Sequence, residues 1–514
     1  MASKCSTRLF GIETEYAFTA FLKNGKVAPP QEAVGQLLQL ARKRLVYLPA
    51  RSGSGMFLQN GSRFYVDTGH HPELATPECA DPWDLVRYVL AGEKILSSLA
   101  SELVVQPGPI ARAQFFKSNV EYSGSGSTWG CHESYLHRAN PSTLPRQLIP
   151  HLVSRIVFCG AGGFNNCSRA LDFVLSPRAP HLEKVVSECS TSHRGIFHSK
   201  NESLSSRGYH RLHVLTGESL CSQLATWLKV ATTAIVVALT EAKLEPGEAV
   251  KLESPVSAMQ VFGRDTQCKA SVPGVGGRPL SAIAIQRHYL EVAEKHLDHR
   301  LLPAWAEEAC RLWRAVLDML ETDLGHSERV LDWGIKRALF RRHAEKRGVK
   351  FERLAQRFTK GGIVGSVWGA LSKELKIKQE LFEIDARFGQ LWSGDGRSEG
   401  CGIFRLLDRS GVLEHGVDGV DEVDGVNRVD HAVCNPPATG RARVRGECIG
   451  KLHSSTDEYY SDWQGIWSRK KNVMLDLRDP FTSTENWRPC RKSPDNASRE
   501  RLRLLLDFDQ TEGM

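Results

Sequence analysis

The sequence predicts an α+β protein, a mostly antiparallel sheet with helices on one side, and two patterns carry that prediction. Apolar and polar residues alternate through 9–19, 57–66, 114–120 and 211–217, each run bounded by Gly, Ser or Asn. Helical periodicity fills about 31–46, 81–104, 144–158, 219–242, 282–297, 303–323 and 327–346. The two kinds are mixed without the regular strand–helix alternation of a parallel sheet. With 514 residues there is room for one large domain plus an appendage, or for two or three ordinary ones.

Along the chain, the alternating runs are strands because period two gives each a polar and an apolar face. The helix at 219–242 contains the most membrane-like stretch, 231–239. That stretch is only about half the length of a spanning helix and is flanked closely by Lys229 and Glu241, so a buried helix is expected. At about 350–382 the helical pattern is interrupted by Lys360-Gly-Gly-Ile-Val-Gly365, as in an inserted helical hairpin or lid. Residues 416–431 repeat Val, Asp and Gly with a near three-residue period and are expected to be an exposed, low-complexity loop. The segment from 451 to 514, rich in Trp, Arg and Asp, suits a small appended subdomain.

Apolar residues make up 41% of the chain and charged residues 25%, which supports a sizeable core and excludes global disorder. The net charge of +8 is spread over the length, with small clusters at Ala41-Arg-Lys-Arg44 and Lys336-Arg-Ala-Leu-Phe-Arg-Arg342. Solvated helix faces account for these better than a nucleic-acid site, while a mildly basic surface favours an acidic protein partner. The 13 cysteines form no Cys-x-x-Cys pair and no Cys/His cluster with zinc spacing, so they are expected to be reduced thiols of a cytoplasmic protein. The N-terminus is polar, Ser3-Lys-Cys-Ser-Thr-Arg8, where a secretory signal needs an apolar core.

Chemistry concentrates in two segments, Gly11-Ile-Glu-Thr-Glu-Tyr16 and Arg63-Phe-Tyr-Val-Asp-Thr-Gly-His-His-Pro-Glu73. In the first, Glu13 and Glu15 share one strand face; either that face meets solvent or a cation relieves the repulsion of the carboxylates. In the second, Arg63, Tyr65 and Asp67 share a face, with Glu73, His70 and His71 beside them. Such a cluster asks for a ligand, and its hard oxygen donors suit magnesium, which takes one or two carboxylates and a substrate phosphate. A third segment, from Lys117 to Tyr135, enters a Gly/Ser loop and leaves through His132 and Glu133. Its amides could cradle phosphate or merely connect a hairpin, and no Gly-Lys-Ser/Thr ends it. A fourth, Arg207-Gly-Tyr-His-Arg-Leu-His-Val214, puts Arg211 and His213 on one face, for a phosphate or for a structural ion pair.

These stretches resemble the Pup ligase and depupylase family, whose catalytic domain is related to glutamine synthetase. The resemblance also runs through Asn60-Gly-Ser-Arg63, His71-Pro-Glu-Leu-Ala-Thr-Pro-Glu-Cys79, Gly130-Cys-His-Glu133, Cys159-Gly-Ala-Gly162, Asp332-Trp333, Asn435-Pro-Pro437 and Arg441-Ala-Arg-Val-Arg-Gly-Glu447. It implies a glutamine-synthetase-like α+β fold with a curved, mostly antiparallel sheet, a catalytic domain over 1–450 and a small C-terminal subdomain over 451–514. It implies that Glu13, Tyr65 and Glu73 bind Mg2+ and that Arg63, Thr76 and Trp463 contact ATP. Asp67 is then the catalytic base, and His132 and Arg211 sit where glutamine-synthetase-like sites place phosphate contacts. The partners implied are a Pup-like disordered protein modifier and lysine-bearing substrate proteins, with neither nucleic acid nor membrane.

In the ligase branch ATP phosphorylates the C-terminal glutamate of the modifier, and a substrate lysine attacks to form an isopeptide bond; the alternative branch hydrolyses that bond or deamidates a terminal Gln. The deamidase branch has a long loop before its Asp-bearing strand, whereas here only the ordinary span 23–57 is present, which favours the ligase. Ala80-Asp-Pro-Trp-Asp84 and Gly446-Glu-Cys448 look more like the deamidase. Lys200 stands where the family has arginine, Leu74 where it has an aromatic residue, and the loop from Ser123 to Thr128 is about two residues longer than the family pattern.

Overall fold

The structure, a computed structural model, describes residues 7–67, 69–124, 126–168, 171–189, 192–199, 204–205, 208–298, 300–354, 368–391, 402–456 and 458–490, without the side chains of 368–373. The expected α+β architecture is present. Among the described residues nine strands form one sheet, in the order Lys184–Ser187, Gly195–His198, His210–Val214, Cys131–His137, Phe10–Glu15, Pro72–Ala75, Arg63–Val66, Met56–Leu58 and Tyr47–Pro49. Neighbours are antiparallel except the first pair, which is parallel.

The first alternating run divides in two. Phe10–Glu15 lies at the centre of the sheet with Phe10, Ile12 and Thr14 buried and Gly11, Glu13 and Glu15 on the opposite face. After Tyr16 the chain leaves that sheet, and Ala17–Leu22 pairs instead with Ile110–Phe116. Period two continues across the break at Tyr16 as far as Thr19, so alternation alone does not reveal the change of partner.

Helices cover the apolar face. Gln223–Glu241, apolar on every side as a fully buried helix should be, packs against Pro82–Val105, Leu144–Ser154, Ala306–Thr322 and the Cys131–His137 strand. Its most apolar window has a mean hydropathy of 1.4 and is 94% buried inside the protein. The N-terminus is fixed twice: Ser222 Oγ accepts from the Ala225 amide at 3.1 Å, and the buried Asp332 carboxylate accepts from the amides of Cys221 and Ser222 at 2.7 and 3.1 Å.

Segment 416–431 is largely exposed, as expected, but it is anchored to the helices and holds a short hairpin, Glu422–Val423 with Val426–Asn427. Trp83 Nε1 donates to the Asp418 carbonyl at 2.9 Å, Arg87 Nε to the Val420 carbonyl at 3.1 Å, and Gln223 Nε2 to the Asp421 carboxylate. Val420 and Val429 are buried, and the helix Arg428–Cys434 begins inside the repeat. Of the repeated valines only Val420 and Val429 are buried, while Val426 is exposed. Within the 350–382 region, 355–367 lie outside the described residues. The helix Trp368–Phe388 runs on past 382 and is part of the core: Ile377 and Leu381 are buried, and Asp385 pairs with buried Lys336 at 2.8 Å.

At the C-terminus, Tyr459–Asp462, Gly465–Ser468, Val473–Asp476 and Trp487–Pro489 form a four-stranded antiparallel sheet. The helix Gly440–Leu452, which contains the expected boundary at 450, joins these strands and Leu48 and Phe57 in one apolar cluster.

Candidate active site

Strand register assembles the site in two cross-strand rows. Glu13 stands opposite His132 on one side and Ala75 on the other, and Ala75 stands opposite Arg63. Glu15 stands opposite Glu73, and Glu73 opposite Tyr65. Both rows lie on the face away from the helices. His213 Nε2 lies 3.7 Å and His132 Nδ1 3.9 Å from Glu13 Oε2, and an Arg211 nitrogen lies 3.8 Å from Oε1.

The two central carboxylates are driven apart in acidity. Burial raises Glu13, but the hydrogen bond from His132 and the charges of His213 and Arg211 outweigh it and bring it down to about 2. Glu73 is pushed well above the ordinary carboxylate range by burial and then by the charge of Glu13. Tyr65 donates to Glu73, and burial with the two nearby carboxylates keeps its phenol protonated. Two glutamates and a phenol oxygen facing one another are a hard-oxygen donor set that fits a small divalent cation.

Asp67 follows the Arg63–Val66 strand in a tight turn. Its amide donates to the His71 carbonyl at 3.1 Å, and its Oδ1 accepts from the His71 amide at 2.7 Å. His71 Nδ1 faces Glu15 Oε2 at 3.1 Å and Asp67 Oδ2 at 3.7 Å. Thus Glu13, His132 and His213 form one acid–imidazole cluster, and Glu15, Asp67 and His71 a second.

A cavity of about 350 Å³ runs from Glu13, Arg63 and Tyr65 past Arg211 to Trp463. An adjoining cavity is lined by Gly11, Thr76, Glu78, Arg441 and Trp463, and shares Glu13 and Arg211 with the first. Thr76 Oγ1 accepts from the Ile12 amide at 3.1 Å, which ties that wall to the central strand. Trp463 is wedged edge-on against Phe57, 5.1 Å between ring centres, with the Arg445 guanidinium 4.8 Å over its ring. The Arg63 guanidinium lies 4.3 Å over the Tyr65 ring, and its buried Nε has no acceptor among the described residues. A buried donor without an acceptor at the mouth of a cavity fits an anionic ligand.

The family model described as Pup-ligase protein matches residues 8–358. The chain belongs to the Pup-ligase family. This family member is 32% identical to a protein named Pup--protein ligase 1 from Rhodococcus erythropolis over 486 residues, covering 93% of this chain and 97% of the relative. It is equally identical to a Pup--protein ligase from Mycobacterium ulcerans (strain Agy99), covering 97% of this chain and 99% of that one. Among solved structures it resembles the complex between the prokaryotic ubiquitin-like protein Pup and its ligase PafA, with a TM-score of 0.74 and 25% identity over 98% of this chain and 94% of that chain. It also resembles PafA in complex with ADP, with a TM-score of 0.69 and 25% identity over 89% and 92% of the two chains.

For this Pup-ligase family member Glu13, Arg63, Tyr65, Glu73, His132 and Arg211 lie on one sheet face, Thr76 and Trp463 line its cavities, and Asp67, expected on the Arg63 strand face, sits on the turn after that strand ends at Val66. The Gly/Ser loop is different: the Ser123 and Gly126 amides donate to the Glu121 carboxylate at 2.6 and 2.9 Å, so those two amides are taken and the hairpin reading is the better one. Lys200 lies outside the described residues. Leu74 is buried against Gly92, where a Cβ would come within 2.8 Å of its methyl carbon. The sequence reading gave no role to His71, Phe57 or Arg441. His71 stood within a motif already in hand; Phe57 and Arg441 become visible only once the C-terminal strands are docked.

Proposed function

We propose that the chain is an ATP-dependent carboxylate–amine ligase that joins the C-terminal glutamate of a Pup-like protein modifier to lysine side chains and so marks proteins for degradation. The observation that carries this reading is the single sheet face on which paired acidic oxygens and the unaccepted Arg63 donor adjoin a cavity ending at Trp463, with Asp67 on the turn that follows the Arg63–Val66 strand. Glu13, Tyr65 and Glu73 would hold Mg2+, which supplies charge neutralisation for phosphate oxygens when bound. Arg63, Arg211, His132, Thr76 and Trp463 bind and orient ATP, the arginines with donors fixed before the reaction begins.

Asp67 takes the proton from the incoming lysine. A free lysine with pKa about 10.4 is neutral in about one molecule in 2,500 at pH 7, a deficit of roughly 4.6 kcal/mol, and a carboxylate accepting the proton as the C–N bond forms lowers that barrier. The C-terminal sheet and the Gly440–Leu452 helix act as the subdomain that presents Trp463. The scattered thiols and the buried apolar helix support a cytoplasmic enzyme.

Incubation with ATP, Mg2+, a modifier ending in glutamate and a lysine-bearing protein is expected to give a covalent adduct and stoichiometric ADP. Asp67→Asn should slow adduct formation by about 10²–10⁴-fold. Cleavage of a purified conjugate without adduct formation would support the hydrolase instead.

A further inference from the structure

We propose that His71 is the positioning residue for Asp67 in the lysine-attack step; this rests on the ligase reading. Asp67 lies on a turn beyond the end of its strand, with its side chain 22% exposed, so the strand does not fix where its carboxylate points. His71 supplies two constraints. Its amide holds Oδ1 at 2.7 Å, and its ring edge faces Oδ2 at 3.7 Å. The ring is itself held by Glu15 Oε2 at 3.1 Å from Nδ1 and by the Trp129 ring, tilted at 39° with centres 5.4 Å apart. Space for this arrangement depends on Gly69, where a Cβ would fall 3.1 Å from His71 Cε1 and 3.3 Å from Asp67 Oδ2.

Nδ1 carries one hydrogen and faces two carboxylates. With that hydrogen given to the nearer Glu15, Oδ2 of Asp67 keeps its lone pairs for the incoming ammonium, while the imidazole edge limits its rotation. In the step served, the lysine ammonium gives one proton to Asp67, the freed amine nitrogen bonds to the acyl carbon, the carbon–oxygen bond to phosphate breaks, and the nitrogen's second surplus proton leaves with the phosphate as hydrogen phosphate. The preceding transfer of phosphate from ATP to the modifier carboxylate involves no such proton. A positioning role therefore separates the two steps, whereas a general structural role would impair both.

Two acceptors distinguish them: a lysine-bearing protein, which needs the base, and hydroxylamine, which is neutral at pH 7 and traps the acyl phosphate as a hydroxamate without one. With full-length enzyme, ATP, Mg2+ and a modifier ending in glutamate, His71→Ala is expected to lower lysine conjugation about 100-fold and to keep hydroxamate formation within about twofold of the unsubstituted enzyme. His71→Asn, whose side chain can again place a donor near the position of Nδ1, is expected to recover at least tenfold of the lost conjugation. Equal loss of both products, unchanged conjugation in His71→Ala, or no recovery in His71→Asn would each overturn the assignment. An unsubstituted enzyme that forms neither product overturns the ligase reading and this inference with it.

Discussion

Glu13 and Glu73 are the same side chain on neighbouring strands, yet one is held well below the ordinary carboxylate range and the other pushed well above it. The difference lies in what surrounds each: Glu13 has His132, His213 and Arg211, whereas Glu73 has burial, a phenol and the charge of Glu13. A divalent cation between them removes the reason for Glu73 to keep its proton, so metal binding should release protons. Calorimetric titration with Mg2+ at pH 7 in buffers of different ionisation enthalpy is expected to report release of up to one proton. Mg2+ affinity should weaken as the pH is lowered, because Glu73 must first be deprotonated. Glu73→Gln should abolish the released proton and weaken Mg2+ binding by at least tenfold; proton release that persists in this variant would place the proton elsewhere.

The strand Cys131–His137 shows how one element sets both core and site. His132 faces Glu13, and the next residue, Glu133, turns inward to a two-pronged pair with buried Arg155 at 2.7 and 2.9 Å. Burial alone would raise Glu133, but Arg155 and Lys229 hold it below its ordinary value. Removing one partner leaves a buried charge unpaired, so Glu133→Gln or Arg155→Met is expected to cost about 3–5 kcal/mol in urea unfolding, with most of that recovered in Glu133→Leu/Arg155→Met. Gly130 is confined by the same strand: a Cβ there would lie 2.5 Å from His132 Nε2 and 2.8 Å from Glu15 Oε1. Gly130→Val should therefore reduce adduct formation more than it reduces stability.

Alternation in the sequence made the faces of Glu13, Arg63, Tyr65, Arg211 and His213 legible, because side-chain direction on a strand depends only on parity. It could not show that the chain changes sheets at Tyr16. The helix Gly440–Leu452 gives no apolar stripe because Arg441 and Arg445, buried on Glu78, stand among its inward-facing residues. The C-terminal strands, four residues or fewer, are too short for a periodic signal. Trp463 was found by resemblance and not by pattern.

The C-terminal unit and the main sheet meet at a charged knot, at an apolar cluster, and at the Ala50–Ser461 bridge, where Arg51 also lies 3.7 Å from Asp462. Arg441 Nε and Arg445 lie 2.6 and 2.5 Å from the two oxygens of Glu78, two residues beyond Thr76, while Arg445 also caps the Trp463 ring. Burial raises Glu78, but the two guanidiniums outweigh it and bring the carboxyl from 4.5 down to about 2. Burial also lowers Arg441 from its usual value, which weakens the pairing without removing the charge that acts on Glu78. Because the folded value is depressed, the contribution is complete above about pH 4.5 and is lost as the pH falls toward about 2. At about 1.4 kcal/mol per pH unit it amounts to about 3 kcal/mol. Glu78→Gln, which leaves Arg445 buried without its carboxylate, should cost about 3–5 kcal/mol at pH 7. The gap in urea-unfolding stability between the two proteins is expected to narrow steadily from pH 5 to pH 3. At pH 7 hydrogen exchange should quicken in Gly440–Leu452 and Tyr459–Asp462, and the KM for ATP should rise with kcat less affected, since Trp463 is displaced while Asp67 is not. A stability gap independent of pH would mean that the apolar cluster of Leu48, Phe57, Ile449 and Ile466 and the Ala50–Ser461 bridge hold the unit in place without the Glu78 pairs.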